Sequence, residues 1–467
     1  MDESSMRTQP LADGHHAKAL RRILFPFYHR GEGFRHFFRM RICSAGVAWI
    51  IFWPLSFFLA LGNDRQSIYQ LFAMACGLGV IAFGWAIMRR ANLNAQRELP
   101  RYATQGEPMR YTVRVTNRNR RMLQRAWLCE MPQDPRPDLA TFEYLHEPGE
   151  ERRNAFDRLF AFFRWKWLLQ KNRVFIGGIS KQSLHLPAAK QESIALELVP
   201  TRRGVIVLDD LRVLLPDAFG LFQRCKRVPA SRSMLTVLPK RYALPPLELP
   251  GGTAFQMNGA AQTHRLGNTG EFMGLRDYRP GDSLRSIHWK SWAHTGRAIV
   301  KELEDTSYPR YGLILDTYSV RKSDAQFEEA VSVAASFAAE IDTNHSLVDL
   351  MFVKNQAHRI TAGHERDHTA KLLDVLAGVT PERTEQFDKL LQLVMTHQKL
   401  LTSCVVIFIG WDQARADFMA QMKRNGLACV PLIIGDGPPP QGQRGYWLES
   451  GKIAESLSRL PQQLQSY

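Results

Sequence analysis

Two long apolar stretches near the start of the chain constrain its fold most. Residues 42–61 and 68–88 contain no Asp, Glu, Lys or Arg. At about 1.5 Å per helical residue, each is long enough to cross a hydrocarbon layer of about 30 Å. A signal peptide is the weaker interpretation of the first stretch, because 41 residues precede it. The pattern therefore predicts a transmembrane helical hairpin over residues 42–88.

The distribution of basic residues predicts the orientation of this hairpin. The leader over residues 1–41 and the stretch directly after residue 88 are rich in Arg and Lys. Between the apolar stretches, residues 62–67 contain one basic residue, Arg65. Lys and Arg near the ends of membrane helices resist translocation. We therefore expect a multi-pass protein with both termini and the bulk of the chain in the cytoplasm.

The composition limits the classes of partner. Lys and Arg exceed Asp and Glu by 16, and many of these basic residues flank the apolar stretches. Membrane lipids with anionic headgroups attract such residues by about 1 kcal/mol each. The charge is otherwise scattered, so we expect no nucleic acid partner. Six cysteines without C-x-x-C spacing argue against a disulfide scaffold and a cysteine-based zinc site.

The region over residues 98–240 has the pattern of an all-β domain. Apolar and polar residues alternate along residues 109–116, which is typical of a half-buried strand. Further strands are expected at residues 124–129, 193–198, 204–214 and 234–238, separated by Pro or Gly turns. The spacing favours an immunoglobulin-like sandwich, although the Cys…Trp…Cys signature of true immunoglobulin domains is missing.

One insertion interrupts that pattern. Residues 151–173 are rich in aromatic and basic residues, and Phe156, Phe163 and Leu168 could share a helical stripe. Such a helix could lie in a membrane interface. A helix docked on its own domain or on a partner is an equal alternative.

The C-terminal part changes character after a Pro- and Gly-rich linker at residues 244–259. Within residues 260–467, short apolar runs alternate with helical patterns. This alternation predicts a mostly parallel sheet with helices on both faces. Ligands of such sheets bind beyond the carboxyl ends of the strands, which lie here near Asp316 and residues 410–412.

The densest motif precedes that sheet, over residues 271–290, which we call the signature segment. It resembles the signature of the bacterial Domain of Unknown Function 58 family, and residues 201–204 (TRRG) and 216–222 (PDAFGLF) resemble two further stretches of that family. The residues of the segment that we single out as signature or partner-binding residues are Glu271, Gly274, Arg276, Tyr278, Gly281, Asp282, Arg285, His288, Trp289 and Lys290.

The resemblance implies a fold and a role. It implies a membrane-anchored protein of the bacterial inner (cytoplasmic) membrane with a β domain and a C-terminal α/β region similar to the von Willebrand factor A domain. Members are often encoded beside MoxR-type AAA+ ATPases and transglutaminase-like membrane proteins. The expected partners are therefore an AAA+ ATPase and other envelope membrane proteins. The implied function is that of a non-enzymatic adaptor or assembly factor.

The residues of the signature segment, considered apart from the family resemblance, allow two interpretations. It could be a structural strap in which charges pair and aromatic side chains anchor it to the core. It could instead be a partner surface, since Arg suits carboxylates and Trp often dominates interfaces. We expect Trp289 and Tyr278 to be structural, and Arg279 and His288 to be dispensable for folding.

A metal site is the main alternative near the sheet. Von Willebrand A domains that bind Mg²⁺ place D-x-S-x-S after the first strand, whereas this chain has Tyr318 and Val320 at the two serine positions. Asp316, Ser319 and Asp412 remain weak candidate ligands, and Asp412 could equally cap the next helix. We therefore expect no cofactor, with Mg²⁺ as the alternative.

Catalytic motifs are missing from the sequence. It has no phosphate-binding loop, no nucleophile elbow and no H-E-x-x-H. His364 and His368 have helical spacing but no further ligand nearby. The competing hypothesis is a membrane-associated hydrolase or a metal-dependent ligand-binding protein that uses the region around Asp316, with Asp282 and His288 as further polar groups.

Overall fold

The computed structural model describes residues 15–61, 66–245, 266–280, 282–304, 310–318, 325–341, 346–354, 356–362, 368–382, 387–437, 439 and 445–460. The chain divides into two compact units, Met1–Leu238 and Pro239–Tyr467. Almost all of the expected linker at residues 244–259 lies outside the described residues.

The first unit begins with three helices, α1 (His15–Arg41), α2 (Ser44–Leu61) and α3 (Gln66–Met88). In the described part of the chain, one helix is long and apolar enough to cross a membrane, over Ile68–Met88 within α3. Helix α2 contains a shorter apolar run, Ser44–Leu59. The two helices pack together, since the Trp49 indole donates to the Ala75 carbonyl over 3.2 Å. One apolar helix of membrane length is thus present, while the transmembrane hairpin stays a prediction.

The rest of the first unit is rich in β-structure. Its strands are β1 (Leu93–Glu98), β2 (Tyr102–Thr104), β3 (Met109–Asn117), β4 (Leu123–Glu130), β5 (Phe175–Gly177), β6 (Leu184–Leu186), β7 (Gln191–Pro200), β8 (Gly204–Leu208), β9 (Leu211–Pro216), β10 (Gln223–Arg227) and β11 (Ser233–Leu238). They form sheets of order β1-β3-β7-β5, β10-β9-β4-β6 and β2-β11-β8. One apolar cluster fills the space between them, and Val113, Leu128 and Leu235 within it are fully buried.

The period-two pattern located the strands well. The strand expected at residues 109–116 is β3, whose residues alternate between buried and exposed positions. The single strand expected at residues 204–214 is wrong. The chain forms two strands there, β8 and β9, because the carboxylates of Asp209 and Asp210 interrupt the apolar alternation between them.

The aromatic and basic insertion at residues 151–173 forms two short helices rather than one continuous helix. They are α5 (Ala155–Phe160) and α6 (Phe162–Asn172), preceded by α4 (Leu139–Tyr144). The expectation of one continuous stripe is wrong because Ala161 adopts a left-handed φ of 52°, which ends α5. Arg164 of α6 is buried against Glu150, with 2.9 Å between Nε and Oε2. The inner face of the insertion is therefore docked on its own unit.

The loop after β9 joins the β-structure to the apolar helices. The Asp217 carboxylate accepts the backbone N–H groups of Phe219, Gly220 and Phe222. The Leu221 carbonyl accepts the N–H of Cys43 over 3.0 Å. The Phe222 ring lies 5.8 Å from the ring of Trp49 in α2 and 5.9 Å from that of Phe83 in α3. The loop of residues 216–222 thus contacts both apolar helices, α2 and α3.

The second unit contains a two-stranded ribbon and an α/β sheet. Its elements are β12 (Leu266–Asp277), α7 (Trp289–Thr295), β13 (Ile299–Glu304), β14 (Arg310–Leu315), α8 (Ala325–Glu340), β15 (Leu347–Lys354), β16 (Gln356–Ala362), α9 (His368–Gly378), α10 (Phe387–His397), β17 (Ser403–Ile409), α11 (Gln413–Arg424), β18 (Cys429–Gly435), β19 (Tyr446–Glu449) and α12 (Ile453–Ser458). The sheet order is β16-β15-β14-β17-β18-β19.

The sheet has the mostly parallel character that the alternation predicted. All neighbouring strands described in it run parallel except β15 and β16, which are antiparallel. Every residue of β17 is buried, as expected for a central strand covered on both faces. The carboxyl ends of β14 and β17 lie next to each other, because Leu315 pairs with Ile407.

Candidate functional site

The signature segment is built on the ribbon of β12 and β13. These strands pair antiparallel from Asp277 and Ile299 outward, and the N–H of Tyr278 donates to the Ala298 carbonyl over 2.9 Å. The chain then turns back, and the N–H of His288 donates to the Ile299 carbonyl over 2.8 Å. Ile287 is buried beside Val300. The segment is therefore a strap fixed to the ribbon at both of its ends.

A charge pair closes the turn of this strap. Both guanidinium nitrogens Nη1 and Nη2 of Arg276 contact the carboxylate of Asp282 at 2.7 Å. The same carboxylate accepts the backbone N–H of Arg279 over 2.9 Å. The side-chain bond from Arg276, followed by the N–H of Arg279, lowers the pKa of Asp282 to about 2. The side chains of these two signature residues therefore bind each other.

The next residues present an exposed surface. Trp289 is 62% exposed, and its ring stacks on that of Trp292 with 5.1 Å between centroids. Leu275 and Leu284 are also exposed. The expectation that Trp289 anchors the strap to the core is therefore wrong. The buried side chain is that of Ile287, two residues earlier.

The exposed charge on this surface is mainly basic. Arg279, Arg285 and Lys290 are exposed, while Tyr278 and His288 are partly buried. The ring nitrogen Nδ1 of His288 lies 2.6 Å from the Ser291 hydroxyl. Residues 276–290 contain two acids, Asp277 and Asp282, and the Asp282 carboxylate is already paired with Arg276. The exposed part of the signature segment therefore combines the aromatic side chain of Trp289 with three basic side chains, those of Arg279, Arg285 and Lys290.

A shallow groove lies beside this surface. It has a volume of about 430 Å³ and is lined by Leu275, Arg276, Asp277, Arg279 and Ile299. Its open shape suits a side chain or a short peptide better than a small molecule, since small-molecule sites enclose most of their ligand. The side chain of Glu271 and the whole of Gly281 lie outside the part of the signature segment that the structure describes.

The ends of β14 and β17 form a second polar cluster around Arg415, a residue that the sequence analysis did not single out. Arg415 donates from Nε and Nη2 to Oδ2 of Asp316, at 2.9 and 2.7 Å. Its Nη1 contacts Asp412. Asp316 also accepts the backbone N–H groups of Tyr318 and Ile409. Two of the three weak metal candidates are thus brought together by a guanidinium.

This cluster does not fit a magnesium site. The fully buried Asp316 carboxylate is saturated by N–H donors, and the Arg415 guanidinium already supplies a positive charge to both acids. Burial raises the pKa of Asp316, and Arg415 opposes that change. Asp412 caps α11 by accepting the N–H of Arg415. Ser319 lies outside the described residues, and among those described no cluster of three His, Cys, Asp or Glu could hold a metal.

A weak signal for Arg415 was present in the sequence. It lies in the first turn of a helix, where the helix dipole disfavours a positive charge. A basic residue at that position, three residues after an N-cap acid, indicates a nearby carboxylate partner. Asp316 is that partner, 99 residues earlier in the chain.

Comparison with known proteins agrees with the signature. Residues 274–427 match the family described as "Protein of unknown function DUF58", which confirms the resemblance and assigns this region to that family. A stretch of 70 residues is 37% identical to the "Uncharacterized protein YeaD" of Bacillus subtilis (strain 168), covering 15% of this chain and 17% of that protein.

Two solved domains resemble part of the chain weakly. The CARDB domain of PF1109 from Pyrococcus furiosus is 11% identical, with 32% of this chain and 97% of that chain covered at a TM-score of 0.17. A cohesin module from Clostridium perfringens is 10% identical, with 32% and 98% covered at a TM-score of 0.17. Likeness at this level carries no argument about fold or function.

Proposed function

We propose that this protein is a membrane-anchored, non-enzymatic adaptor or assembly factor whose signature segment is a docking surface for a protein partner. The observation that carries the proposal is the exposure of Trp289, at 62%, in a stretch whose Arg285 and Lys290 side chains are exposed as well. Exposed Trp and Arg are the residues that dominate protein interfaces. The strap holds them in place through Ile287 and the Arg276–Asp282 pair.

The charge of the surface defines the kind of partner. Three exposed basic side chains fit an acidic face, because opposite charges steer association and suppress wrong partners. A MoxR-type AAA+ ATPase is the partner that the family resemblance implies, with other envelope membrane proteins as further members of the assembly. In this proposal the apolar helices hold the adaptor at the inner membrane with both termini in the cytoplasm.

The folds proposed for the two units complete this picture. The three sheets around one core support an immunoglobulin-like sandwich for the first unit, and the sheet order with one antiparallel edge strand supports a von Willebrand factor A-like second unit. In the second unit, Arg415 takes the place of a metal beside Asp316. The hydrolase and metal-dependent alternatives therefore gain no support from this cluster.

A photocrosslinking experiment tests the proposal. A photoreactive phenylalanine replaces Trp289 in the full chain in native membranes, and a matched chain carries it at Leu400, which is 53% exposed in the same unit. We expect an AAA+ ATPase to be crosslinked from position 289 and not from position 400. Identical products from both positions, or products without an ATPase, would contradict the proposed partnership.

A further inference from the structure

Helix α1 exposes an apolar stripe. Ile23, Phe27 and Phe34 are each more than 60% exposed, and Phe37 and Phe38 are exposed as well. At 3.6 residues per turn, these five positions lie within about 100° of the helix circumference. A stripe of this width is the face that an amphipathic helix normally buries.

The opposite side of α1 is already occupied. Phe25 and Tyr28 pack against the cluster of Phe142, Trp165 and Leu168. The Tyr28 hydroxyl donates to the Phe160 carbonyl over 3.0 Å. Because α1 is fixed by this contact, its stripe cannot turn toward the same core.

The neighbouring insertion also exposes apolar side chains. Phe156 of α5 is 67% exposed and Phe162 of α6 is 50% exposed. The Phe162 ring lies 6.1 Å from the ring of Tyr28, so Phe162 lies next to the occupied side of α1. The insertion is thus docked by its inner face and apolar on part of its outer face.

Basic side chains accompany the stripe. Arg30 and Arg41 are exposed on the same side of the helix by their spacing, and the Arg41 guanidinium lies 4.2 Å from the centroid of the Phe37 ring. Arginine stems can lie along apolar surface while the charged ends reach a polar layer. These residues suit anionic headgroups, and they disfavour a second copy of the same helix, whose stripe would carry the same charges.

The apolar helices follow α1 directly in the sequence. Helix α1 ends at Arg41, α2 begins at Ser44, and α3 contains the apolar helix of membrane length. We propose that α1 lies along the cytoplasmic membrane interface, with its stripe about 5–10 Å deep at the boundary of headgroups and acyl chains. This inference rests on the membrane attachment proposed above and is independent of the partner of the signature segment.

Photolabelling of lipid tests this placement on the full chain. A photoreactive phenylalanine replaces Phe27 or Phe34, and vesicles contain phosphatidylcholine with phosphatidylglycerol. The matched control position is Arg39, which is exposed on the same helix but about 120–140° away from these two positions. A second control position is Val80, exposed on α3 at 73%, which reports insertion of the apolar helix.

We expect lipid adducts at positions 27, 34 and 80, with yields at 27 and 34 several-fold above that at 39. The yields at 27 and 34 should fall several-fold without phosphatidylglycerol, and equal yields would contradict the headgroup contact. Adducts at 80 alone, or crosslinks from 27 and 34 to a second copy or another protein, would overturn the inference and leave membrane attachment intact. No lipid adduct at any position would overturn both.

Discussion

Arg415 connects two carboxylates that follow different strands of the second unit. Its guanidinium has two contacts with Asp316 and one with Asp412, while its Cζ lies 5.0 Å from the Phe387 ring centroid. Asp316 is fully buried, whereas the side chain of Asp412 is 42% exposed. The buried contact is therefore the one that folding depends on.

Removing this guanidinium should destabilise the protein strongly. Arg415→Met leaves the Asp316 carboxylate buried without its charged partner, and breaking such a pair costs about 3–5 kcal/mol. We expect a clearly lower unfolding temperature of the second unit, measured by calorimetry on the full chain. The control Asp412→Asn should change little, because that contact is half exposed. Equal effects of the two substitutions would contradict the account.

The pair of Arg276 and Asp282 should depend on pH in a defined window. The pKa of Asp282 falls from 3.8 to about 2 in the folded chain. Its stabilisation is therefore complete above pH 3.8 and is lost as the pH falls toward about 2. The difference in unfolding temperature between the native chain and Asp282→Asn should shrink across that window. A difference that stays constant down to pH 2 would contradict the ion pair.

Elements of the first unit show where periodicity succeeds and where it fails. Strand β3 was predictable because one face is buried and the other wet, which the alternation records directly. The break at Ala161 was not predictable, because an alanine rarely adopts a left-handed conformation and only tertiary contacts impose it. The exposure of Trp289 was missed for a related reason, since composition does not distinguish a core aromatic residue from an exposed one.

The loop of residues 216–222 should control the attachment of the apolar helices. Gly46 of α2 faces this loop so closely that a Cβ would lie 2.0 Å from the Leu221 carbonyl oxygen. Gly46→Val should therefore force α2 away from the loop. Limited proteolysis of the detergent-solubilised chain should then cut between α3 and β1 faster. The control Gly77→Val should have no such effect, because nothing lies within 4 Å of its Cβ position.

Unchanged proteolysis in Gly46→Val would show that the loop does not hold the helix. The Asp217 carboxylate offers a second route to the same element, since it accepts three backbone N–H groups of the loop. Asp217→Ala should loosen the loop without any clash, and the same cleavage should appear.

The orientation proposed for the whole molecule rests on the basic residues that flank the apolar stretches. We expect a periplasm-active reporter fused after Asn63 to be active and one fused after Tyr467 to be inactive. The reverse pattern would place the second unit outside the cytoplasm and would remove the proposed ATPase partnership.

At the scale of the whole chain, the order of the regions was predictable and their function less so. Hydropathy and alternation indicate apolar helices, a β-rich unit and an α/β unit, because each imposes its own period on the sequence. Which charges pair is decided across long separations, as in Arg415 with Asp316, and no local pattern records it. The proposed docking surface likewise depends on exposure, which only the folded chain defines.

Comparing Trp289→Ala with Ile287→Ala tests the proposed docking surface most directly. In the full chain purified from native membranes, both the unfolding temperature and the amount of co-purified AAA+ ATPase are measured. The account predicts that Trp289→Ala loses the ATPase and keeps its unfolding temperature, because the side chain is exposed. Ile287→Ala should lower the unfolding temperature, because that side chain is buried. A Trp289→Ala chain that melts much earlier, or that retains the ATPase in full, would contradict the account.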